Sequence, residues 1–164
     1  MALIKNGVLI EDRYEQVRED GALPAAGPLL LSLAQWQQWR SELIERGTPV
    51  GVRLASDQHP EALADDTDRL SLVALEFPSF RDGRAYSYAR LLRDRFGFTG
   101  ELRAVGDVLP DQLLYMQRVG FDAFEIDGDD PVAEYEDAVN EFGVVYQPAG
   151  DDRVPALRLR HARG

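Results

Sequence analysis

Acidic side chains end or follow four of the predicted strands, where the chemistry of an α/β protein is usually found. They are Asp57, Glu76, Asp107 and Asp127. Because ligands of parallel sheets bind beyond the carboxyl ends of the strands, we expect these four carboxylates to gather at one rim. Two of them close together could bind Mg²⁺ or share a proton. An aspartate after a strand is also a common turn or capping residue, so we keep Asp107 and Glu76 as catalytic candidates and predict no metal site.

The densest polar cluster runs from Ser79 to Arg84 and leads into Ser87. Arginines just ahead of a helix N-terminus, where free backbone amides point outward, can form a site for an anion. We therefore name Arg81, Asp82, Arg84 and Ser87 as candidates for binding an anion or a partner.

Arg103 lies inside a predicted strand, where an unpaired charge would be costly. We expect it to point toward a carboxylate such as Glu76 or Asp107, or toward a ligand, and a structural ion pair is the simpler interpretation. Asp111 and Gln112 follow a proline in the first turn of a predicted helix. The helix dipole explains Asp111 without a function, but both residues stay candidates for binding an anion or a partner.

Composition excludes several classes of site. The 164 residues contain no cysteine, which rules out disulfides, a thiolate nucleophile and cysteine-held zinc or iron–sulfur groups. The two histidines, His59 and His161, are too few for a histidine metal site. No dinucleotide-binding, phosphate-loop or nucleophile-elbow motif is present, so no cofactor is predicted. The formal net charge of −11 disfavours binding to nucleic acid.

Local patterns place these residues on alternating strands and helices. Residues 3–14 predict two short strands around Asn6-Gly7, a strong hairpin signal, and residues 15–28 predict a loop. Ser32 followed by Gln35 is a capping box that begins a helix, which Gly47 ends. Further strands are predicted at Val50–Ala55, Leu70–Phe77, Glu101–Val105, Ala123–Ile126 and Val144–Tyr146, and helices begin near Pro60, Gly83, Pro110 and Pro131.

This alternation predicts an α/β fold with a mainly parallel sheet built from successive βα units, either doubly wound or a partial barrel. We expect one domain over residues 1–150, with the hairpin at residues 1–14 and a C-terminal tail or edge strand at residues 151–164. The N-terminus lacks the apolar core of a signal peptide, and no stretch is long and apolar enough to span a bilayer. We therefore expect a soluble cytoplasmic protein.

The middle of the chain carries a specific pattern. The segment F-x-D-G-R-x-x-S-x-A-R at residues 80–90, L-R-A-x-G-D-V at residues 102–108 and the pair Asp111-Gln112 together resemble the bacterial family called domain of unknown function 934. The likeness is close across residues 72–126. Members are often labelled probable oxidoreductases and are typically encoded beside the sirohaem sulfite or nitrite reductase haemoprotein. The resemblance implies a role in assimilatory sulfate reduction, and it brings no established catalytic residues.

Three functional hypotheses follow. The first is an accessory protein of assimilatory sulfite reduction that binds or supports the sirohaem haemoprotein, as the resemblance implies. The alternative is a small α/β enzyme that acts on an anionic substrate at the strand ends, with Arg84 and Arg103 holding the anion and Asp107 or Glu76 as acid or base. The third is a homodimeric scaffold, since the acidic residues 122–141 contrast with the arginine-rich residues 81–118.

Overall fold

The computed structural model of the protein describes residues 1–140, and its strands form one eight-stranded sheet that curls like half of a barrel. The strands are β1 (Ala2–Lys5), β2 (Val8–Ile10), β3 (Glu15–Gln16), β4 (Leu29–Ser32), β5 (Val50–Leu54), β6 (Leu72–Phe77), β7 (Glu101–Gly106) and β8 (Ala123–Ile126). Their spatial order is β2-β1-β8-β7-β6-β5-β4-β3. Every pair from β3 to β8 is parallel, and β1 is antiparallel to both β2 and β8. The prediction of a mainly parallel α/β sheet with an N-terminal hairpin is confirmed.

Residues 1–140 contain four α-helices, of which the first three connect strands and the last follows β8. They are α1 (Leu33–Arg46), α2 (Arg84–Arg90), which continues into the π-helical turn Leu91–Arg95, α3 (Leu113–Val119) and α4 (Pro131–Asn140); short 3₁₀ turns span Pro60–Leu63 and Pro110–Gln112. The start of α1 follows the predicted capping box, since Ser32 Oγ accepts from the Gln35 amide and Gln35 Oε1 accepts from the Ser32 amide. Gly47, with a φ of 70°, ends α1 in the left-handed conformation that glycine adopts most easily.

Alternating side chains give the sheet two different faces. Val73, Leu75 and Phe77 of β6 belong to the main core, which also contains the buried side chains of all four helices. The opposite face, called here the open face, carries a small apolar cluster around Leu72 and Ala74. Because successive residues of a strand point to opposite sides, the polar residues in register with this cluster also lie on the open face. They include Arg53, Glu76, Glu101 and Arg103.

Arg93 closes the end of the sheet opposite the carboxyl ends of the strands. Its Nε donates to the carbonyl of Gly120 at 3.0 Å, and its Nη1 donates to the carbonyls of Phe98 and Gly100 at 2.9 and 2.8 Å. Burial lowers the pKa of Arg93. The side chain thus satisfies backbone oxygens from two separate connections, which makes it a structural residue.

Asp66 fastens α1 to the connection between β5 and β6. Its carboxylate accepts from Trp36 Nε1 at 3.0 Å and from Arg40 Nε at 2.9 Å. The hydrogen bond from Arg40 holds the pKa of Asp66 below its usual value against the opposing effect of burial. A single buried carboxylate thus satisfies the indole NH of Trp36 and pairs with Arg40.

The predicted loop over residues 15–28 contains the short strand β3, which the sequence did not reveal. The strand β4 begins at Leu29, directly after this predicted loop. The predicted strand Val144–Tyr146 and the predicted tail or edge strand at residues 151–164 lie outside the described residues. Within residues 1–140, no helix has the length and apolar character needed to cross a lipid bilayer.

Candidate functional site

The loop between β6 and α2, residues 78–83, is held in place at the carboxyl edge of the sheet by Asp107 and Gln112. Asp107 Oδ2 accepts from the backbone amide of Phe80 at 2.8 Å, and Gln112 Nε2 donates to the carbonyl of the same residue at 3.2 Å. Both backbone groups of Phe80 are thereby fixed. The residue is nevertheless 46% exposed, and the guanidinium of Arg81 lies 5.5 Å from the centroid of its ring.

Gly106 explains how Asp107 reaches this loop. The residue has a φ of 91°, and a Cβ at this position would collide with the backbone carbonyl of Phe77. The tight approach allows the amide of Asp107 to donate to that carbonyl at 2.7 Å. Only glycine combines this backbone conformation with the space available, so the turn after β7 is sterically specified.

Asp82 and Arg84 brace the other side of the loop. Arg84 Nε and Nη2 donate to the two carboxylate oxygens of Asp82 at 3.0 and 2.6 Å, and Nη2 also donates to Ser56 Oγ at 2.9 Å. The hydrogen bonds from the Arg84 side chain and backbone hold the pKa of Asp82 well below its usual range. Since Ser56 follows β5, these hydrogen bonds connect the loop to the end of the neighbouring strand. The guanidinium of Arg84 is already paired with the carboxylate of Asp82.

Another exposed aromatic side chain lies on α3, and Gln112, which binds Phe80, directly precedes this helix. Tyr115 is 51% exposed, and its ring lies 4.9 Å from that of Tyr86 on α2. Burial, with the nearby phenol of Tyr115 and the charge of Asp111, raises the pKa of Tyr86. Phe80, Arg81 and Tyr115 are called here the aromatic patch. Of the other candidates on these elements, Ser87 is exposed on α2.

A second feature of the carboxyl edge is a cleft of about 580 Å³ on the open face, called here the open-face cleft. Arg53 and Glu76 line it, and Arg53 Nε lies 3.4 Å from Glu76 Oε2. Both side chains are about one-third exposed, at 31% and 33%. Arg18, Glu19, Ser32 and Gln58 also line the cleft, so two arginines, two carboxylates and neutral polar groups face the same space.

Arg103 occupies a different part of the open face and is only 1% exposed. Its Nε donates to Glu101 at 2.8 Å, while its Nη1 and Nη2 donate to the two oxygens of Asp12 at 2.7 and 3.2 Å. Burial acts to lower the pKa of Arg103, but its hydrogen bonds to Asp12 and the charge of Glu101 hold that pKa above its ordinary value. Arg103 therefore points to carboxylates, but these are not Glu76 and Asp107, which the sequence suggested.

The four carboxylates that end or follow strands have different surroundings. Glu76 lies beside Arg53, Asp107 holds Phe80, Asp127 lies 3.7 Å from the N-terminal amine and Asp57 is exposed. In the part of the chain that the structure describes, no group of three or more histidine or acidic side chains is placed to hold a metal ion. The four residues end or follow adjacent parallel strands at the same edge of the sheet, but each has its own local partner or faces solvent.

Residues 51–157, more than half of the chain, match the family model described as a bacterial protein of unknown function, DUF934. The chain belongs to this family. No curated protein matches the chain. In this member of DUF934 the matched region includes the loop at residues 78–83, the side chains that hold it, the aromatic patch, and Arg53 and Glu76 of the open-face cleft.

Two residues of the carboxyl edge were missed as candidates from the sequence. Ser56 has no distinguishing sequence context, and it matters only because the fold brings Arg84 to it from 28 positions away. Arg53 did have a signal, since a charged residue interrupts the otherwise apolar segment Val50–Ala55. The same reasoning that selected Arg103 would have selected Arg53.

Proposed function

We propose that the protein is an accessory protein of assimilatory sulfite reduction that binds or supports the sirohaem sulfite reductase haemoprotein through the aromatic patch. One observation carries the binding surface: Phe80 is exposed although both of its backbone groups are held by side chains of another connection. An aromatic ring and an arginine are the residue types that most often dominate the energy of a protein interface. A loop that is already rigid loses little entropy on binding.

The identity of the partner is supported by the family resemblance, which connects these proteins with the sirohaem haemoprotein. The geometry independently supports the same segment as a binding surface. The pattern residues Asp82, Arg84, Asp107 and Gln112 all serve to hold the loop. The pattern that defines the resemblance is thus largely the pattern that presents Phe80 and its neighbour Arg81 to a partner.

The test is direct binding of the purified protein to the purified sirohaem sulfite reductase haemoprotein, measured by calorimetry at low and high salt. We expect Phe80→Ala to weaken binding by about tenfold or more, because it removes the central ring of the patch. Arg81→Ala should weaken binding mainly at low salt. Arg90→Ala is the matched control, since Arg90 is an exposed arginine of α2 whose ion-pair partner is Asp94.

Absence of binding at both salt concentrations would contradict the proposal. It would also fail if Phe80→Ala and the Arg90→Ala control bound the haemoprotein equally well. Thermal melts of each variant separate a lost contact from a lost fold, and Phe80→Ala removes no hydrogen bond because the contacts of Phe80 with Asp107 and Gln112 use its backbone.

A second candidate function is catalysis on a small anionic substrate in the open-face cleft. The pair Arg53 and Glu76 favours it, because an arginine can hold an anion beside a carboxylate that accepts or donates a proton. Asp107 is the weaker candidate for acid or base, since it holds Phe80. Glu76→Gln should abolish growth on sulfate as the sulfur source while leaving the melting temperature unchanged. Normal growth of this variant would argue against catalysis.

A further inference from the structure

Arg53 differs in its partners from Arg84 and Arg103, the two arginines that the sequence suggested would hold an anionic substrate. Arg84 and Arg103 each donate at least two hydrogen bonds to a carboxylate. Arg53 has an ion-pair contact to Glu76 at 3.4 Å, but its guanidinium makes no hydrogen bond within residues 1–140. The planar fork of an arginine suits bidentate binding of a carboxylate, and here that fork lines a cleft with only the ion-pair contact to Glu76.

The neighbouring groups leave a specific set of unused donors. Ser32 Oγ accepts from the Gln35 amide, so the Ser32 hydroxyl hydrogen remains available to donate. Gln58 Oε1 accepts from the Ala55 amide at 2.9 Å, so the NH₂ group of Gln58 is the end left for the cleft. These donors and Arg53 together favour a ligand with several acceptor oxygens.

Glu76 limits which anion can bind. A carboxylate beside Arg53 repels a ligand that carries two negative charges at one end, such as a phosphate monoester near neutral pH. The same carboxylate accepts a hydrogen bond from a ligand hydroxyl. The volume of about 580 Å³ lies within the range of sites for metabolite-sized ligands.

We infer that the open-face cleft binds a small hydroxycarboxylate, with the ligand carboxylate on Arg53 and a ligand hydroxyl on Glu76. This inference rests on the second candidate function, since both place an anion in the same cleft, but binding does not require turnover. Ser32 and Gln58 bind the remaining ligand oxygens. The site lies on the open face at the carboxyl ends of β4, β5 and β6, where parallel sheets bind ligands.

The experiment is a titration of the full chain with three probes, followed by two-dimensional amide NMR. The probes are glycerate, which has the carboxylate and hydroxyls, propionate, which lacks the hydroxyls, and glycerol, which lacks the carboxylate. We expect glycerate to produce saturable shifts in the amide signals of Ser32, Ala55 and Gln58. Propionate should bind about tenfold more weakly because the contact to Glu76 is missing, and glycerol should not bind.

Variants then separate the two contacts. Arg53→Gln should weaken glycerate binding by about tenfold or more, whereas the control Arg90→Gln should not change it. Glu76→Gln should reduce the preference for glycerate over propionate, because the neutral amide oxygen accepts a weaker hydrogen bond from the glycerate hydroxyl than the carboxylate does. Equal binding by wild type and Arg53→Gln would overturn the inference.

Comparison of the probes on the wild-type protein requires no variant to fold. Absence of saturable shifts with glycerate, or shifts confined to residues away from the cleft, would also overturn the inference. If glycerate binds as expected but Glu76→Gln grows normally on sulfate, the ligand site stands and the catalytic function fails.

Discussion

Replacing Arg103 with methionine tests whether this buried arginine is a structural residue or is kept for a ligand. The substitution conserves much of the side-chain volume but removes every hydrogen bond to Asp12 and Glu101. Glu101, itself only 7% exposed, would keep Lys5 as its partner at 3.0 Å, and Glu125 would lose its 3.5 Å contact. Removing one partner of a buried ion pair usually lowers the free energy of unfolding by about 3–5 kcal/mol.

The lower end of that range applies here, because Lys5 continues to neutralise Glu101 and because Asp12 is 38% exposed. We therefore expect Arg103→Met to cost about 3 kcal/mol, which for a chain of this size lowers the melting temperature by roughly 6–12 °C. Asp12→Asn should cost less, about 1–2 kcal/mol, because its carboxylate is partly solvated. The double variant should be close to Arg103→Met alone, since Asp12 stabilises the fold mainly through Arg103.

Urea denaturation followed by tryptophan fluorescence measures these differences, because Trp36 is only 1% exposed in the folded protein. A loss smaller than about 1 kcal/mol for Arg103→Met would refute the structural interpretation. Strict additivity of the two substitutions would refute the pairing of Arg103 with Asp12. Either result would return Arg103 to the set of anion-binding candidates.

Three further results are expected from the same assay. Gly106→Ala should cost more than Gly97→Ala, because both residues have positive φ but only at Gly106 does a Cβ collide with the backbone; equal losses would contradict the steric argument. Arg93→Met should lower the free energy of unfolding by about 3 kcal/mol by leaving carbonyls unpaired, and Arg90→Met, the exposed control, should change it little. The lowered pKa of Asp66 means that its ionised form stabilises the fold above the ordinary pKa of about 4 and that this contribution is lost as the pH falls through the lowered value. The stability difference between wild type and Asp66→Asn should therefore be largest at neutral pH and shrink on acidification, and a constant difference would show that the charge is not involved.

Features that depend on neighbouring residues could be predicted from the sequence. The hairpin turn at Asn6 and Gly7 and the capping box of Ser32 with Gln35 involve contacts over a few positions, and the structure has both. The strand β4 could not be recognised from the sequence. Its four residues lead directly into α1, so no turn residue marks the boundary, and β3 has only two exposed polar residues.

The partners of charged residues are set by the fold rather than by local pattern. A charge inside a strand predicts that Arg103 needs a carboxylate, yet the carboxylate that it binds most closely belongs to Asp12, 91 positions away. Asp107 was a catalytic candidate because it follows a strand. Its contact with Phe80 depends on the alignment of β6 with β7 and on the turn at Gly106, neither of which a local pattern specifies.

The aromatic patch and the open-face cleft share one structural element, the turn after β5. Ser56 Oγ in this turn accepts a hydrogen bond from Arg84, which holds the loop at residues 78–83, while Gln58 of the same turn lines the cleft. Phe80 does not line the cleft, and Arg53 is not one of the side chains that hold the loop, so each site has a variant that should leave the other unchanged. Phe80→Ala should retain glycerate binding, and Arg53→Gln should retain haemoprotein binding. If either variant weakens the binding of both glycerate and the haemoprotein, the turn at residues 55–58 couples the two sites. Ser56→Ala should then reduce that coupling. Among the described residues, it removes the only hydrogen bond from the Arg84 side chain to this turn.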